Sequence, residues 1–389
     1  MLDGVRVLEF GQIAAGPFTG SLLADLGADV VKIERPDEGD GMRSWPPLSA
    51  AENGEVFSEN FASINRNKRS VTIDLKDEGS RPELESLCRS ADVIVENFRP
   101  GVLKKLRLDD ESLRAVNPKL VYCSISGYGQ IGPYAKRGAF DVTIQAMSGL
   151  MSVTGEDNGG PVKCGVPVGD FCAGLYAAYT IMAALYDRQR SGKGRYIDCS
   201  MLGSLIGVSA LQTSEFFGTG HSGKRLGSAH PRNAPYQAFR AADDYFVIAA
   251  GNDKLWSAVC EIVGVPMLAD HPDFRTQSLR ARNQIVLKEL LETYFRQQNA
   301  AYWLSRMLEH GVPASPINDF ESVLADEHVQ RMGILHELML PNGVKTRTVG
   351  YPLRISDYAF SVRRPPPRLG EHNAEVLQEW AASVEDERA

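Results

Sequence analysis

Residues 5–35 read VRVLEFGQIAAGPFTGSLLADLGADVVKIER, and this stretch contains a strand, a helix and a second strand in that order. The apolar segments VRVLEF and DVVKIER are typical of buried strands. Between them, Pro17 suits the first position of a helix and Gly27 suits its C-terminal end. Two strands joined by a helix usually pair in parallel. The stretch therefore predicts the first unit of a parallel sheet covered by helices.

The same alternation of strands and helices continues to about residue 217. Further strands are predicted in SVTIDL, ADVIVEN, LVYCSISGYG and RYIDCS. Helices are predicted in FDVTIQAMSGLMSVTG, in DFCAGLYAAYTIMAALYDRQR and in MLGSLIGVSALQTSEFF. The second of these helices is apolar nearly all round, so we expect it to be buried. The predicted fold class is α/β, with a Rossmann-like large domain over residues 1–217.

A smaller domain is predicted after this region. Between 218 and 235 the composition shifts to Gly, Ser, His and Pro, which is typical of a linker. YQAFRAADDYFVIAA then predicts a hairpin, and the tail ends in strand-like pieces and the helix NAEVLQEWAA. Amphipathic helices are predicted at about 253–263, 281–297 and 300–310. We predict a linker and small α+β domain over 218–330 and a tail, 331–389, that returns to the large domain.

Bulk properties exclude several classes of protein. A net charge of −7 argues against nucleic-acid or membrane-surface binding, which requires a basic face. The 6 cysteines show no CxxC pair and no metal-type spacing with the 7 histidines, so we expect reduced thiols and no metal site. No apolar run reads as a membrane span and the first residues do not resemble a signal peptide, so we expect a cytoplasmic protein.

Asp170 is the first candidate for chemistry, because it follows Gly169 at the start of the apolar helix. In the structural interpretation, it is a helix N-cap. In the functional interpretation, helix N–H groups and the helix dipole hold its carboxylate ionised. An ionised carboxylate can attack an acyl thioester and form a mixed anhydride. Position alone leaves both interpretations open.

Two loops at the ends of predicted strands are candidate binding sites. The loop FGQIAAGPFTG can bring backbone N–H groups close to a phosphate. It lacks GxGxxG, which disfavours dinucleotide binding, although Glu34 ends the next strand where a ribose-binding acid would lie. The adjacent Arg35 suits a phosphate better. ENFRPG offers the amide of Asn97 and the ring of Phe98, with Lys105 shortly beyond. Each of these features also fits a structural or solvated role.

Taken together, these segments resemble the class III (formyl-CoA transferase-like) CoA-transferase family along almost the full chain. The matching stretches, in order, are LDGVRVLEFGQIAAGPF, LADLGADVVKIERPDEGD, NRNKRSVTIDLK, ADVIVENFRPG, NPKLVYCSISGYGQIGPY, GVPVGDFCAGLYAAYTIMAAL, SGKGRYIDCSML and LGEHNAEVLQ. The resemblance implies that Asp170 in VGDF is the catalytic nucleophile, which forms aspartyl anhydride and aspartyl-CoA intermediates. It also implies an interlocked homodimer of ring-like subunits.

The resemblance further implies that coenzyme A or an acyl-CoA binds as a substrate and that no cofactor is permanently bound. The residues it places along the CoA path are Ile13, Ala14, Ala15, Arg35, Val71, Thr72, Asn97, Phe98 and Lys105.

The expected activity is CoA transfer rather than racemisation. Racemases of the same family, which act on 2-methylacyl-CoAs, carry a proton-transferring His where GAFD places Phe140, and phenylalanine cannot accept a proton. RLGSAHPRNAPYQAF, FVIAAGN and VPASPIND look most like the subgroup that uses succinyl-CoA and small dicarboxylates such as glutarate, with itaconate and malate in the same range. The candidate substrate-binding residues are Phe140 and, for the second carboxylate, Arg43, Arg225, His230 and Arg232. The alternatives are a 2-methylacyl-CoA racemase and a non-catalytic CoA-ester binding protein.

Overall fold

The computed structural model describes residues 1–386, with side chains to Trp380, and divides into two compact units. The first unit comprises 1–150, 163–221 and the chain from 332 onward, and the second comprises 151–162 and 222–331. The predicted large domain included 151–162, which the structure assigns to the second unit. The last residues of the predicted tail, 387–389, lie outside the described residues.

The strands are numbered in chain order: β1 (Arg6–Glu9), β2 (Asp29–Glu34), β3 (Leu48–Ala50), β4 (Val56–Ser58), β5 (Lys68–Thr72), β6 (Val93–Glu96), β7 (Val121–Ser126), β8 (Tyr196–Ser200), β9 (Tyr236–Arg240), β10 (Tyr245–Ala249), β11 (Ala314–Pro316), β12 (Leu335–Met339) and β13 (Lys345–Val349).

The α-helices are numbered in the same way: α1 (Ala15–Asp25), α2 (Glu59–Asn65), α3 (Arg81–Ser90), α4 (Val102–Lys105), α5 (Asp110–Val116), α6 (Asp141–Met147), α7 (Leu150–Val153), α8 (Val168–Ser191), α9 (Met201–Val208), α10 (Ala210–Thr219), α11 (Asp253–Ile262), α12 (Gln277–Arg282), α13 (Gln284–Phe295), α14 (Ala300–Glu309), α15 (Phe320–Ala325), α16 (Glu327–Met332) and α17 (Asn373–Asp386).

A parallel sheet forms the centre of the first unit, as predicted. Among the described residues it contains six strands in the order β5-β2-β1-β6-β7-β8. Leu8 of β1 pairs in register with Val31 on one side and Ile94 on the other. Successive side chains alternate between two buried layers, so Val7 packs against helices on one face while Leu8 packs on the other. Burial on both faces explains why these strands are almost continuously apolar.

The direction of strand order reverses between β1 and β6. In open parallel sheets, ligands bind beyond the carboxyl ends of the strands at such a reversal. The loops after β1 and β6 lie at this edge, and they are the FGQIAAGPFTG and ENFRPG loops singled out in the sequence.

Helix α8 packs on α1 and on the sheet, but it is not buried all round. Ala173, Ala177 and Ile181 are fully buried, whereas Leu175 and Tyr179 are more than half exposed. Within residues 1–386, α8 is also the helix long and apolar enough to cross a membrane, which corrects the expectation that no run approaches that length. The core helix of a soluble protein passes the same test of length and composition. The buried face of α8, which packs into the hydrophobic core, supports the interpretation of α8 as such a core helix.

The second unit contains an antiparallel sheet in the order β11-β10-β9, packed against helices α11, α13 and α14. Phe246 of β10 pairs with Phe239 of β9, and both rings contact Phe295 of α13 edge to face. The predicted hairpin around residues 243 and 244 is therefore confirmed.

Two predicted helices are each divided into two. The helix predicted over 140–155 becomes α6 and α7, because Gly149 adopts φ +87°, a left-handed conformation that ends a helix. The helix predicted over 201–217 becomes α9 and α10, with the break at Ser209, whose hydroxyl donates to the Leu205 carbonyl at 2.8 Å.

Candidate active site

Asp170 lies in the first turn of α8, as its third residue. The residue before the helix is Pro167, so Asp170 is not the N-cap. Its carboxylate lines a cavity of about 270 Å³ and accepts a hydrogen bond from the backbone N–H of Ala15, at the start of α1. Helix α1 thus aims its first N–H group at the carboxylate of the predicted nucleophile.

The pKa of Asp170 differs from the expectation of a carboxylate held strongly ionised. Burial and the neighbouring Asp141 carboxylate raise the pKa of Asp170 to about 6, and the Ala15 N–H only partly opposes the rise. A first-turn position would by itself favour the ionised form. Desolvation and like-charge repulsion therefore outweigh the helix terminus here.

The cavity brings together many of the predicted site residues. They come from the loops after β1, β6 and β7 and from the starts of α6 and α8. The predicted residues in its lining are Ile13, Ala14, Ala15, Asn97, Phe98, Phe140 and Asp170. The other lining residues are Gln12, Arg99, Pro100, Ile125, Ser126, Gly127, Arg137, Ala139, Asp141 and Met201.

The loop after β1 is held by side chains on two other segments. The amide of Asn97 accepts from the Gln12 N–H at 2.9 Å and donates to the Gln12 carbonyl at 2.8 Å. Both oxygens of Asp40 lie 3.1 Å from the N–H of Ile13, which adopts φ +67°. The Asn97 amide and these two N–H groups are therefore bonded within the protein. They shape the loop that carries Ala15.

A buried ion network supports the same loop from below. The Lys32 ammonium lies 2.9 Å from Asp40, 2.8 Å from Glu9 and 2.7 Å from the Gly11 carbonyl. Burial alone would lower the pKa of Lys32, but the surrounding carboxylates raise it. Burial would likewise raise the pKa of Asp40, and Lys32 holds it below its usual value. Both groups are therefore charged at neutral pH, which gives the loop a fixed anchor.

The glycines of this loop serve close packing. A Cβ on Gly16 would lie 3.1 Å from the Gly11 Cα and 3.3 Å from the Asn97 side chain. The two glycines therefore let the loop fold back on itself beside Asn97, a role that the sequence interpretation, which emphasised phosphate contact, did not identify.

Several predicted ligand residues lie outside the cavity lining. Arg35 is exposed and pairs with Glu38 at 2.7 Å. The side chain of Val71 is fully buried, which leaves only its backbone for a ligand. Thr72 exchanges hydrogen bonds of 2.9 Å with Asn373, and Lys105 is an exposed residue of α4.

Arg43 binds Glu34 through two nitrogens, at 2.8 and 2.6 Å, and stacks over Phe61 at 3.9 Å. Its guanidinium is thus committed to a buried carboxylate. Burial would raise the pKa of Glu34, but Arg43 and Lys32 lower it below its usual value. These bonds also occupy the acid that a dinucleotide ribose would require.

The remaining cation candidates belong to the second unit. Arg225 donates to the carbonyl of Gly159 at 2.9 Å, which ties segment 151–162 to that unit. The Nδ1 atom of His230 accepts from the N–H groups of Arg232 and Asn233. Burial and Arg232 lower the pKa of His230, so its ring is largely neutral at pH 7 and does not supply a cation.

Sequence reasoning missed three kinds of site residue. Asp40 and Lys32 act through the loop, and the signal for Lys32 was a charge in the middle of an apolar strand. Arg99 and Arg137 line the cavity, but single basic residues in loops carry no distinctive pattern. Asp141 follows Phe140 in the GAFD motif, and the motif by itself points only to residue 140. Within residues 1–386, no group of three His, Cys, Asp or Glu side chains is arranged to hold a metal ion.

Comparisons with known proteins identify the family of the chain. The model of CoA-transferase family III matches residues 2–373. The succinate–glutarate CoA-transferase of Agrobacterium fabrum is 40% identical over 380 residues, covering 97% of this chain and 95% of that protein. The succinyl-CoA:glutarate CoA-transferase of Homo sapiens is 38% identical over 379 residues, covering 97% of this chain and 85% of that protein. The crystal structure of a CAIB/BAIF family protein from Brucella suis is 42% identical, with a TM-score of 0.87 over 97% of this chain and 99% of that one. The chain therefore belongs to CoA-transferase family III, the family that its motifs resemble.

Proposed function

We propose that this CoA-transferase moves CoA from succinyl-CoA to a small dicarboxylate such as glutarate, itaconate or malate, with Asp170 as the nucleophile. The observation that carries the proposal is the Asp170 carboxylate, which lines the cavity at the reversal point of the sheet and accepts from the Ala15 N–H. The names of the relatives from Agrobacterium fabrum and Homo sapiens supply the donor and the first acceptor to test.

In the first half of the cycle, a carboxylate oxygen of Asp170 attacks the thioester carbon of succinyl-CoA. The C–S bond breaks, CoA leaves as a thiolate, and a mixed aspartyl–succinyl anhydride forms. The thiolate then attacks the aspartyl carbonyl carbon. Cleavage of the anhydride C–O bond releases succinate and leaves CoA on Asp170 as a thioester.

The second half repeats these steps in reverse order with the acceptor. An acceptor carboxylate attacks the aspartyl thioester, which expels the thiolate and forms a new anhydride. Attack of the thiolate on the acceptor acyl carbon gives the new acyl-CoA and restores the Asp170 carboxylate. No proton is gained or lost overall. Water would hydrolyse each intermediate, so a narrow cavity favours transfer.

We propose that CoA lies along the carboxyl edge of the sheet. Thr72 ends β5, Arg35 follows β2, Ile13 follows β1, and Asn97 follows β6, and these four strands are neighbours in that order. The exposed guanidinium of Arg35 suits a phosphate at the far end of this path, and Phe98 lies at the cavity end.

The distal carboxylate of the acceptor requires a cation. Arg43 is a poor candidate because Glu34 holds it, and His230 is largely neutral. Arg99 and Arg137 line the same cavity as Asp170, so we add them to Arg225 and Arg232 as candidates.

We further propose that the first unit is a Rossmann-like domain, that the enzyme is a homodimer, and that it works in the cytoplasm. The sheet order supports the first point, since it is that of dinucleotide-binding folds. The exposed apolar stripe on α8 supports the second. All six cysteines are free thiols, which suits a reducing compartment.

The test of the nucleophile is Asp170→Ala, assayed with succinyl-CoA and glutarate. We expect exchange to fall by at least about 1,000-fold, because the variant cannot form either covalent intermediate. Its melting temperature and its affinity for CoA should stay close to those of the unmodified enzyme. Asp109→Ala, at the N-cap of α5 and outside the cavity, is the control. Full exchange by Asp170→Ala would falsify the assignment.

A panel of acceptors tests the substrate. With succinyl-CoA as donor, we expect glutarate and other C4–C6 dicarboxylates to exceed formate and oxalate in kcat/KM. Deuterium exchange at C2 of a 2-methylacyl-CoA without any acceptor acid would indicate a racemase instead. Stoichiometric CoA-ester binding without turnover of any acid would indicate a binding protein.

A further inference from the structure

We propose that Asp141 and Gln145 form a clamp that positions the Asp170 nucleophile by holding the chain on both sides of the loop that precedes it. This inference rests on the proposed role of Asp170. The two clamp residues lie one turn apart on α6, and the loop they hold lies between Cys164 and Gly169, the second residue of α8.

The clamp is a continuous chain of three hydrogen bonds. The Gly169 N–H donates to one oxygen of Asp141 at 2.7 Å. The other oxygen accepts from the Gln145 amide nitrogen at 2.6 Å. The Gln145 amide oxygen then accepts from the Cys164 N–H at 2.8 Å. Gln145 is fully buried, so each of its bonds is made away from competing water.

The held loop ends at the nucleophile. Gly169 directly precedes Asp170, so fixing its N–H group fixes the direction in which α8 begins. Between the two anchored N–H groups, Gly165 and Val166 are exposed. Gly169 itself leaves room for the clamp, since a Cβ there would lie 2.9 Å from the Asp141 oxygen. Displacing Asp170 by about 1 Å would reduce the rate by about 100-fold.

The donor and acceptor pattern allows few substitutions. Both ends of this hydrogen-bond chain are backbone N–H donors, those of Gly169 and Cys164. Residues 141 and 145 must therefore each direct an acceptor toward the N–H group that they bind. If both residues were amides, each oxygen would accept from its backbone N–H group, and the two amide nitrogens would be left facing each other. Both nitrogens are donors, so no hydrogen bond would form between them. One carboxylate and one amide satisfy all three bonds, and they do so in either order.

This symmetry provides a rescue test. Asp141→Asn and Gln145→Glu should each break the chain, the first by opposing two donors and the second by opposing two carboxylates. The double variant Asp141→Asn/Gln145→Glu restores every bond and keeps the net charge. We expect kcat to fall by about 10- to 100-fold in each single variant and to recover at least 10-fold in the double variant. The dissociation constant for CoA should change by less than about threefold throughout.

Hydrogen exchange provides a readout that does not depend on activity. The amides of Cys164 and Gly169 should exchange faster in Asp141→Asn and return to their original protection in the double variant. Asp109→Asn is the matched control, because Asp109 lies outside the cavity just before α5 and accepts a hydrogen bond from the Ser112 hydroxyl. It should leave kcat unchanged. If Asp141→Asn does not fold, Gln145→Leu removes two of the bonds at nearly constant volume. It should lower kcat and the protection of the Cys164 amide, whereas the Gly169 N–H keeps its bond to Asp141.

Unchanged kcat and amide protection in the single variants would overturn the clamp, as would a double variant that is no better than the worse single one. Asp170→Ala is measured in parallel. Retained exchange in that variant would refute the nucleophile and not the clamp, since amide protection reports on the clamp by itself.

Discussion

At the scale of single residues, the proposed chemistry depends on the ionisation of Asp170. Its pKa is raised to about 6 by burial and by Asp141, so the carboxylate is mostly protonated at pH 5 and mostly ionised at pH 7. The protonated form is a poor nucleophile. We therefore expect the kcat of exchange to rise with pH along a limb of unit slope that levels off above about pH 6.

The measurement is a pH profile of kcat at saturating substrate between pH 4.5 and 8. Asp141→Asn/Gln145→Glu moves the neighbouring charge from residue 141 to residue 145 and should move the limb to lower pH. A profile that stays flat down to pH 4.5 would contradict a raised pKa at the nucleophile.

The raised pKa also has a consequence for stability. The folded state binds a proton at Asp170 more tightly than the unfolded state does, so this group favours folding below its unfolded pKa of 3.8. That contribution is lost as the pH rises through about 6. Asp170→Asn removes the charge and should raise the free energy of unfolding at pH 7.5 by on the order of 1–2 kcal/mol. Denaturant unfolding at pH 7.5 and pH 3.5 checks this, because the gain should disappear at the lower pH.

Motifs predicted Asp170, Phe140 and Ala15 as site residues, and the structure places all three around one cavity. They were insufficient for residues whose partners come from distant segments. Arg43 reads as an available cation in sequence, and Glu34 takes up its guanidinium only in the folded chain. Such pairings depend on tertiary contacts, which neither spacing nor composition reports.

At the scale of secondary-structure elements, the strands were predictable because burial on both faces makes them continuous apolar runs. DVVKIER shows the limit of that rule, since Lys32 is fully buried within it as part of an ion network. Helix ends were less predictable. The long helix predicted over 140–155 ends early at Gly149. The short helix that remains, α6, presents Asp141 to the start of α8 and Gln145 to the loop before it.

The loop after β1 should depend on its anchor at Asp40. Asp40→Ala removes the acceptor for the Ile13 N–H and one partner of the buried Lys32 ammonium. Breaking a buried pair in this way costs about 3–5 kcal/mol. We expect that loss in the free energy of unfolding, together with a fall in kcat of about 10-fold or more, because the loop orients the Ala15 N–H. Chemical denaturation and steady-state assays measure the two effects.

Glu38→Ala is the control for this experiment. It breaks the exposed ion pair with Arg35, which lies on the same connection as Asp40. Exposed pairs contribute at most about 1 kcal/mol, so stability and kcat should hardly change. Equal effects of the two variants would show that Asp40 has no special role in the loop.

At the scale of the whole molecule, the shift in composition near residue 218 lies close to residue 222, where the second unit resumes. Composition gave no sign that segment 151–162 belongs to that unit. That segment is short, and hydrogen bonds such as the one from Arg225 to Gly159 hold it in place. The C-terminal helix α17 packs on α3 through Val376 and Trp380, both fully buried. Its apolar residues were visible in NAEVLQEWAA, whereas its partner was not.

The exposed side of α8 carries the argument for a dimer. Leu175, Tyr179 and Tyr186 lie along one stripe of the helix and are 53%, 56% and 72% exposed, while the opposite side packs into the core. An apolar stripe of this size on a 24-residue helix is costly to leave in water. We therefore expect the enzyme to behave in solution as a particle of twice its chain mass of 42.6 kDa.

In a dimer, Leu175→Glu would bury a charge without a partner, so this variant should dissociate and lose exchange activity. Met267→Glu, which places the same charge at an isolated apolar residue that is 76% exposed, should leave mass and activity unchanged. Light scattering coupled to gel filtration measures the mass, and an unmodified enzyme that runs at the mass of one chain would rule out the dimer.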